Sequence, residues 1–303
     1  MRHPGELAVQ RRAGVRGKEL GSARTRPEIP AVAAEFLRRQ RMLVIGAEDR
    51  DGRLWATVLT GSEGFAEAVD ERTLVVAAVP GEHDPLAGLD GGEIGMLAIE
   101  PGTRRRMRVN GTVHEEDGRL VVRTEQTYAN CPKYIQAREL SGETGETGED
   151  GGPPGDVSVT EALTGAQRAW IGGADTFFVA THAPGLGADV SHRGGDPGFV
   201  RVVDERRLVW PDYGGNLMFM TLGNLELDDA CGLLFLDWEN GDALHLSGRA
   251  RVDWDPGDVP GAQRLVEFEV DRVVHVRRAS PLRWTFDGYS PFNPPVTASV
   301  RIT

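Results

Sequence analysis

The chain has 303 residues and a mass of 32.9 kDa, a length typical of two domains or of one large domain. Its 34 basic and 46 acidic residues give a net charge of −12, which argues against a general nucleic-acid binder. The two cysteines, Cys131 and Cys231, are too few for a disulfide scaffold or for a structural zinc site built from cysteines alone.

The hydrophobic pattern predicts a cytoplasmic protein. No apolar run approaches the length of a membrane span, and the first residues lack the apolar segment of a secretory signal. We therefore expect no membrane partner and no nucleic-acid partner. The 39 glycines and 18 prolines favour a β-rich fold with many turns.

The start of the chain is basic, with ten basic and four acidic residues in the first 41 positions. Residues 1–27 are interpreted as an arm that either docks on the acidic body or stays a partly ordered tail. A helix is predicted over 28–40, because prolines lie near its start and Val32, Phe36 and Leu37 form one apolar face.

Segments rich in β-branched and aromatic residues follow and predict six strands. They span residues 42–47, 54–59, 73–79, 94–100, 105–114 and 120–126. The stretch 141–156 is acidic and rich in glycine, which predicts a linker between a first domain at 28–140 and a second at 157–303.

The second domain is predicted to begin with a helix over 160–171, because Ser158 and Glu161 match a capping box. Six more strands are predicted at 176–181, 190–193, 199–211, 231–238, 243–254 and 265–276. The aromatic tail over 284–303 either covers a groove as a lid or packs on the outside of the domain.

The two sets of strands contain an internal repeat. Residues 69–72 and 203–206 both read Val-Asp-Glu-Arg, an offset of 134, and residues 94–99 align with 231–236 at an offset of 137. A near-constant offset indicates two diverged copies of one six-stranded unit. Closing each sheet into a small barrel would remove its exposed edges.

Common enzyme signatures are absent from the sequence, and the histidines lack metal-ligand spacing. No catalytic residue and no metal site is therefore assigned. The segment SHRGGDPGF places Ser191, His192 and Arg193 beside two glycines at the end of a strand. A hydroxyl, an imidazole and a guanidinium at such a turn suit a phosphate, although an ordinary polar hairpin fits the same residues equally well.

Two further clusters carry polar groups. WPDYGGN at 210–216 places a polar turn before a short helix-like stretch that contains Thr221. Amides at such a turn bind anions and ring carbonyls, and the alternative is turn chemistry above core-facing apolar residues. In YANCPKYIQ at 128–136, Cys131 near Lys133 is either a reactive thiol or, more commonly, a small buried residue.

Together, SHRGGDPGF, WPDYGGN followed by TLGN, and NCPKYIQ resemble the pyridoxamine 5′-phosphate oxidase-like, FMN-binding split-barrel family, and in particular its flavin-nucleotide-binding branch. The resemblance extends over both copies, from about residue 30 to 276. It implies a mainly β fold with a few helices, in which two tandem six-stranded split β-barrels form an intrachain pseudo-dimer. In that family FMN lies in the groove between two barrels.

The resemblance also implies which residues contact the cofactor. Phosphate contacts are expected from Ser191, His192 and Arg193, and contacts along the phosphate and ribityl chain from Asn216, Thr221 and Asn224. Asp212 is expected near the flavin ring. Contacts to the ring edge are expected from the opposite barrel, through Arg106 or Arg108 and through Asn130, Cys131 and Lys133.

Each copy keeps a different part of the family pattern. The first copy has TVLTG at 57–61 where the second has SHRGG, and the second has RRASPL at 277–282 where the first has NCPKYIQ. The resemblance therefore implies one composite FMN site and one decayed site per chain.

The leading hypothesis is an FMN-dependent oxidoreductase, monomeric as a pseudo-dimer, that transfers hydride or electrons to or from an unidentified small molecule. NAD(P)H is a candidate electron donor. Oxidation of pyridoxamine phosphate is not expected, because no second phosphate pocket is identified. The alternatives are a non-catalytic flavin- or haem-binding protein and a structural domain in which both sites have decayed.

Overall fold

The computed structural model describes residues 3–15, 25–143 and 156–296. Over these ranges the chain is mainly β, as expected, with four short helices. Residues 144–155, most of the predicted linker, lie outside the described residues. None of the described helices is long and apolar enough to cross a membrane.

The first half of the chain forms one antiparallel sheet. Its strands are β1 (Met42–Glu48), β2 (Leu54–Thr60), β3 (Ala66–Asp70), β4 (Thr73–Val76), β5 (Glu93–Glu100), β6 (Arg105–Glu116) and β7 (Arg119–Ala129). Their hydrogen-bonded order is β2-β1-β5-β6-β7-β4-β3. All six predicted strands of this half are present, and β3 is an additional strand that the sequence did not predict.

The second half forms a sheet of the same design. The remaining strands are β8 (Ala137–Glu143), β9 (Val157–Thr160), β10 (Thr176–Ala183), β11 (Gly187–Gly194), β12 (Arg201–Val202), β13 (Arg207–Tyr213), β14 (Ala230–Leu236), β15 (Ala243–Asp253), β16 (Ala262–Val276) and β17 (Leu282–Gly288). The order β11-β10-β14-β15-β16-β13-β12 repeats that of the first sheet strand for strand, while β9 pairs with β16. The shared order confirms the internal duplication.

Three strand predictions need correction. The predicted strand over 199–211 is two strands, β12 and β13, because a tight turn separates them. The strands β8, β9 and β17 were not predicted; β8 and β17 pair with each other across the two halves, and β9 pairs with β16. Among the described residues the ladders end at β2 and β3 and at β11 and β12, so the predicted closure of each sheet into a barrel is not made by hydrogen bonds.

Strands at the contact between the sheets are buried on both faces, which explains their continuous apolar sequences. Both β1 and β10 are buried along nearly their whole length. One face of each belongs to the core of its own sheet, and the other joins a shared core between the sheets. The strand β7 instead alternates between buried and exposed positions, as expected for a strand with a solvated face.

The contact between the sheets is reciprocal. A Cβ atom at Gly95 of β5 would lie 2.6 Å from the Cα of Asp189 in β11, and one at Gly232 of β14 would lie 2.7 Å from the Cα of Trp55 in β2. Because these pairs are equivalent under the repeat, the halves meet as two subunits of a two-fold dimer do. Glycine is needed at both positions, since a side chain would strike the opposing backbone.

The helices are α1 (Pro4–Arg12), α2 (Ala31–Arg38), α3 (Gly165–Gly173) and α4 (Met220–Leu225). The predicted helices over 28–40 and 160–171 correspond to α2 and α3. The predicted capping box is wrong, because Ser158 lies in β9. Thr164 caps α3 instead, accepting a hydrogen bond from the backbone of Gln167, whose side chain bonds back to the backbone of Thr164.

Part of the basic arm docks on the second half. The helix α1 packs against α4 and places Val9 in the core of the second sheet. The guanidinium of Arg12 lies 4.4 Å from the ring centroid of Trp254, a cation–π distance. Residues 16–24 of the arm lie outside the described residues.

Candidate ligand-binding cleft between the two halves

One cleft lies between the sheets and holds about 870 Å³ of empty space, its open mouth included. Every residue predicted for the site lines this cleft except Asn224: Arg106, Arg108, Asn130, Cys131, Lys133, Ser191, His192, Arg193, Asp212, Asn216 and Thr221. Both halves of the chain therefore build its walls.

The alternation of side chains along a strand positions the arginines of the first half. Arg106 and Arg108 are two residues apart in β6, so both project from the same face of the sheet. The facing strand β11 carries Ser191, His192 and Arg193 at its end. The loop after β13 and the start of α4 complete the wall.

Arg108 is fixed by an ion pair that joins the two halves. Its Nη1 atom lies 2.8 Å from Oδ2 and 2.9 Å from Oδ1 of Asp189, and the Tyr128 hydroxyl lies 3.0 Å from Oδ1. The side chains of Arg108 and Asp189 are only 7% and 2% exposed. Burial opposes the charge of Arg108, but Asp189 and Tyr128 outweigh it and raise the pKa. Arg108 therefore stays charged, and its charge is already neutralised by Asp189.

The Ser191 hydroxyl is held in one orientation. Arg108 Nη2 donates a hydrogen bond to Ser191 Oγ, and Thr221 Oγ1 donates a second at 3.0 Å. Both acceptor positions of the oxygen are occupied, so its proton is left to donate to a ligand.

Arg106 and Arg193 have no carboxylate partner within ion-pair distance among the described residues. Both guanidinium groups donate to the carbonyl oxygen of His192, at 3.3 and 3.1 Å, and Arg106 also donates to the carbonyl of Cys131 at 3.0 Å. Burial together with the positive charges of Arg108 and Arg193 lowers the pKa of Arg106 to about 9. Burial also lowers the pKa of Arg193, an effect that Asp212 partly offsets. The cleft thus carries uncompensated positive charge, which favours an anion.

Unsatisfied polar atoms collect at the same place. Both ring nitrogens of His192, the Nε of Arg108 and the Oδ1 of Asn130 are buried and have no hydrogen-bond partner among the described residues. Burial, and then the neighbouring arginines, lower the pKa of His192 well below its ordinary value, so its imidazole is neutral. Buried polar groups without partners are rare and costly, and a bound polar ligand would satisfy them.

Asp212 lines the cleft and is paired with Arg264. Its carboxylate accepts two hydrogen bonds from Arg264, at 2.9 Å from Nε and 2.7 Å from Nη2. The Arg264 guanidinium also lies 4.9 Å from the Phe219 ring and 5.2 Å from the Trp254 ring. The sequence did not point to Arg264, because it is one of many arginines and follows no motif.

An aromatic and strained segment forms the other wall. The rings of Tyr134 and Tyr213 are 5.2 Å apart, and the Tyr134 hydroxyl donates to the carbonyl of Gly214 at 2.9 Å. Tyr134, Leu217 and Phe219 have φ angles of 66°, 61° and 59°, a left-handed conformation that is unfavourable for bulky side chains. Strain of this kind is concentrated at ligand sites. In the sequence, the clusters at 128–136 and 210–216 pointed to this wall, but not to its strained backbone.

Several predicted residues have roles that the sequence did not indicate. The Asn216 side chain accepts a hydrogen bond from the Met218 amide at 3.1 Å and so shapes its own loop. Asn224 lies buried in α4 and donates to Thr181 Oγ1 at 3.1 Å, which explains its absence from the cleft wall. The Lys133 ammonium lies 5.6 Å from the Phe292 ring.

The C-terminal tail is fastened beside the cleft. Gln136 Oε1 accepts hydrogen bonds from the Ser290 amide at 2.7 Å and from Asn293 Nδ2 at 3.0 Å. Asn293 also donates to Asp196 at 2.8 Å. These bonds hold the described tail, which ends at 296, next to the SHRGGDPGF turn rather than away from it.

The equivalent position on the other side of the pseudo-two-fold axis is built differently. The shared register places Thr57, Val58 and Leu59 where the second half has Ser191, His192 and Arg193, and it places His245 where the first half has Arg108. Thr57 Oγ1 donates to the half-buried carboxyl of Asp84, and His245 Nδ1 lies 3.0 Å from the Ala56 carbonyl. Burial raises the pKa of Asp84. No arginine of the phosphate type remains at these positions.

Comparisons with known proteins were made for the whole chain. No protein-family model and no curated protein sequence matches it. Solved structures that match part of it include a pyridoxamine 5′-phosphate oxidase, so named provisionally, from Lactobacillus delbrueckii, at 17% identity and a TM-score of 0.30, covering 38% of this chain and 94% of that one. An FMN-binding protein from Syntrophomonas wolfei matches at 11% identity and a TM-score of 0.28, covering 36% and 82%. The FAD-binding protein from Mycobacterium smegmatis matches at 15% and 0.27, covering 41% and 100%.

Proposed function

We propose that the cleft binds one FMN per chain and that the protein is an FMN-dependent oxidoreductase. The observation that carries the proposal is the pair of guanidinium groups, Arg106 and Arg193, which share one cleft with no carboxylate partner within ion-pair distance among the described residues. Such groups are suited to a phosphate, which accepts two-pronged hydrogen bonds from arginine.

The residues of the cleft fit the three parts of FMN. A phosphate would be held by Arg193, the Ser191 proton and Arg106. The ribityl hydroxyls would satisfy buried polar atoms such as Asn130 Oδ1, and a flat ring system suits a wall that contains Tyr134 and Tyr213. The fit depends on the buried polar atoms that lack hydrogen-bond partners and on the positive charge of the cleft.

Bound FMN supplies the hydride or electron chemistry of the reaction. The protein residues bind, orient and shield. Arg108 holds Ser191 in place, and Lys133 or the arginines offset negative charge near the ring. No side chain is assigned as a general acid or base; among the polar groups of the cleft, the His192 imidazole is neutral and the Asp212 carboxylate is paired.

A single flavin per chain follows from the asymmetry of the halves. The position equivalent to Ser191 is Thr57, which donates to the half-buried Asp84. The position equivalent to Arg193 is Leu59. A phosphate at that place would meet no guanidinium and would lie near an acidic group, so the second position is proposed to be empty of flavin.

The test is the absorbance spectrum of the purified full chain, followed by identification of the chromophore released on denaturation. FMN at one equivalent per chain supports the proposal, whereas two equivalents or a colourless protein that does not take up FMN contradicts it. Mixing the flavin-bound protein with NADH or NADPH without oxygen, and then admitting oxygen, tests the oxidoreductase step. A flavin that is neither reduced nor reoxidised would leave a flavin-binding protein without that activity.

A haem-binding protein is the second candidate, and one observation favours it. His192 borders the cleft, and its neutral imidazole, which packs against Phe178, has both nitrogens unpartnered among the described residues; a neutral imidazole is the form that ligates iron. A Soret band without flavin absorbance, lost in His192→Ala, would support haem and contradict flavin.

A further inference from the structure

A second cavity lies at the end of α3, bordered by the end of β14 and by β17, and holds about 780 Å³ of empty space with its open mouth included. Three of the six tryptophans of the chain line it: Trp170, Trp238 and Trp284. Tryptophan is rare, and indole rings bring large flat faces of negative electrostatic potential. A wall with three of them is therefore unusual for a surface depression.

The cavity carries an excess of negative charge. Its one arginine, Arg138, is matched by Asp175, whose two oxygens both lie 2.7 Å from the same guanidinium nitrogen. Asp237 and Glu239 also line the cavity, and neither has an ion-pair partner in the described part of the chain. Asp237 accepts hydrogen bonds only from its own turn. Two carboxylates are thus uncompensated.

The end of α3 adds to this field. The helix ends at Gly173, in the wall of the cavity, and its last turn contains no basic residue. The carboxyl end of a helix carries partial negative charge and favours a cation. The helix end and the two carboxylates act in the same direction.

The aromatic walls already accept a cation in this structure. The Arg138 guanidinium lies 4.6 Å from the ring centroid of Trp238 and 5.5 Å from that of Phe286. Both distances are within cation–π range. The ion pair with Asp175 fixes Arg138 as part of the wall, so the remaining volume is open to a separate ligand.

We propose that this cavity binds a small organic cation, a methylated ammonium with an apolar body. Its charge would be met by Asp237, Glu239 and the indole faces, and its methyl groups by the tryptophan rings. Thr176, which lines the cavity and is 4% exposed, has a hydroxyl without a partner among the described residues. A hydroxyl on the bound cation would satisfy it.

This site is independent of the proposed flavin function. The cleft between the halves selects an anion through unpaired arginines, whereas the cavity at α3 selects a cation through carboxylates and indoles. A compound that binds one has no charge complementarity to the other, so the two sites can be tested separately in one protein.

The test is calorimetric titration of the full chain with choline chloride, with its neutral isostere 3,3-dimethyl-1-butanol, and with sodium chloride. Choline is expected to bind about tenfold more tightly than the alcohol, because the alcohol lacks the positive charge that the indole faces and the two carboxylates attract. Sodium chloride should produce no saturable signal. Equal affinity for choline and the alcohol, or no binding of choline, would overturn the proposal.

Charge variants locate the site. Asp237→Asn combined with Glu239→Gln keeps the oxygen that accepts from the Glu239 and Asn240 amides and loses the one that accepts from Asn240 Nδ2. It is expected to weaken choline binding about tenfold. Glu116→Gln, an exposed residue of β6 outside the cavity lining, should leave it unchanged. Because the turn keeps its two hydrogen bonds from backbone amides, the double variant is expected to fold. If it binds choline as the unaltered chain does, the cavity at α3 is not the binding site.

Discussion

Replacing Arg193 with glutamine separates the phosphate contact from every other contact of a bound flavin. Arg193 lies at the end of β11, and among the described residues its side chain donates one hydrogen bond, to the carbonyl oxygen of His192 at 3.1 Å. Glutamine keeps a polar side chain of moderate length and removes the charge. Riboflavin, which has the ring and ribityl chain of FMN but no phosphate, provides the matched ligand.

The magnitude follows from the chemistry of the lost contact. Hydrogen bonds to charged groups contribute about 1.5–3 kcal/mol, and each 1.36 kcal/mol is a factor of ten. We therefore expect Arg193→Gln to weaken FMN binding about tenfold to about 150-fold and to leave riboflavin binding unchanged. The ratio of the FMN affinity to the riboflavin affinity therefore measures what the phosphate contact contributes to binding.

The same substitution is expected to stabilise the flavin-free protein or to leave its stability unchanged. No ion pair within the described residues is broken, and one of the charges that lower the pKa of Arg106 is removed. Binding sites commonly sacrifice stability for function in this way. Urea denaturation of the flavin-free protein measures this effect, which is expected to be at most about 1 kcal/mol.

Quenching of flavin fluorescence on titration with the protein gives both affinities. The control is Arg249→Gln, which alters an exposed arginine of β15 whose side chain is 66% accessible. Equal weakening of FMN and riboflavin would refute a phosphate role for Arg193. Riboflavin binding to the unaltered chain as tightly as FMN would refute a phosphate site in this cleft.

Three further results are expected. Asp189→Asn leaves the buried Arg108 unpaired and should lower the free energy of unfolding, measured by urea denaturation, by about 3 kcal/mol. The control Asp229→Asn, which breaks an exposed pair with Arg249, should change that free energy by less than about 1 kcal/mol. Gly95→Ala forces a Cβ against the opposing backbone and should cost about 1–3 kcal/mol by thermal denaturation, whereas Gly142→Ala meets nothing within 4 Å and should cost far less. In the flavin-free protein, His192→Phe should gain stability relative to the unaltered chain as pH falls below about 6.5, because His192 stays neutral in the folded chain but takes up a proton in the unfolded chain. The difference in free energy of unfolding between the two proteins should grow by up to about 1.4 kcal/mol per pH unit. A difference that does not change with pH would contradict a buried neutral imidazole.

Much of the fold could be read from local patterns. Runs such as MLVIGA in β1 and CGLLFL in β14 are apolar throughout, and they belong to strands buried on both faces. The near-constant offset of the repeat predicted that the two halves are equivalent, and the identical strand orders confirm it. The strands β8 and β17 escaped prediction, because each depends on a partner in the other half.

The candidate site was located by residue type but not by interaction. Ser191, His192 and Arg193 follow one another in β11, so their chemistry could be recognised locally. The pairing of Arg108 with Asp189 spans 81 positions and no short motif marks it. The same holds for Arg264, which pairs with Asp212 and removes that carboxylate from the list of free groups.

The sequence by itself determined the class of the protein: a mainly β chain, duplicated, with an arginine-containing turn kept in one copy and lost in the other. Only the tertiary structure decided which arginines are free. Arg106 and Arg108 are two residues apart on the same face of one strand, yet one meets a carboxylate across the interface and the other does not. The reason is physical: alternation along a strand is local, whereas the partner of a buried charge is set by the strand that packing brings opposite to it.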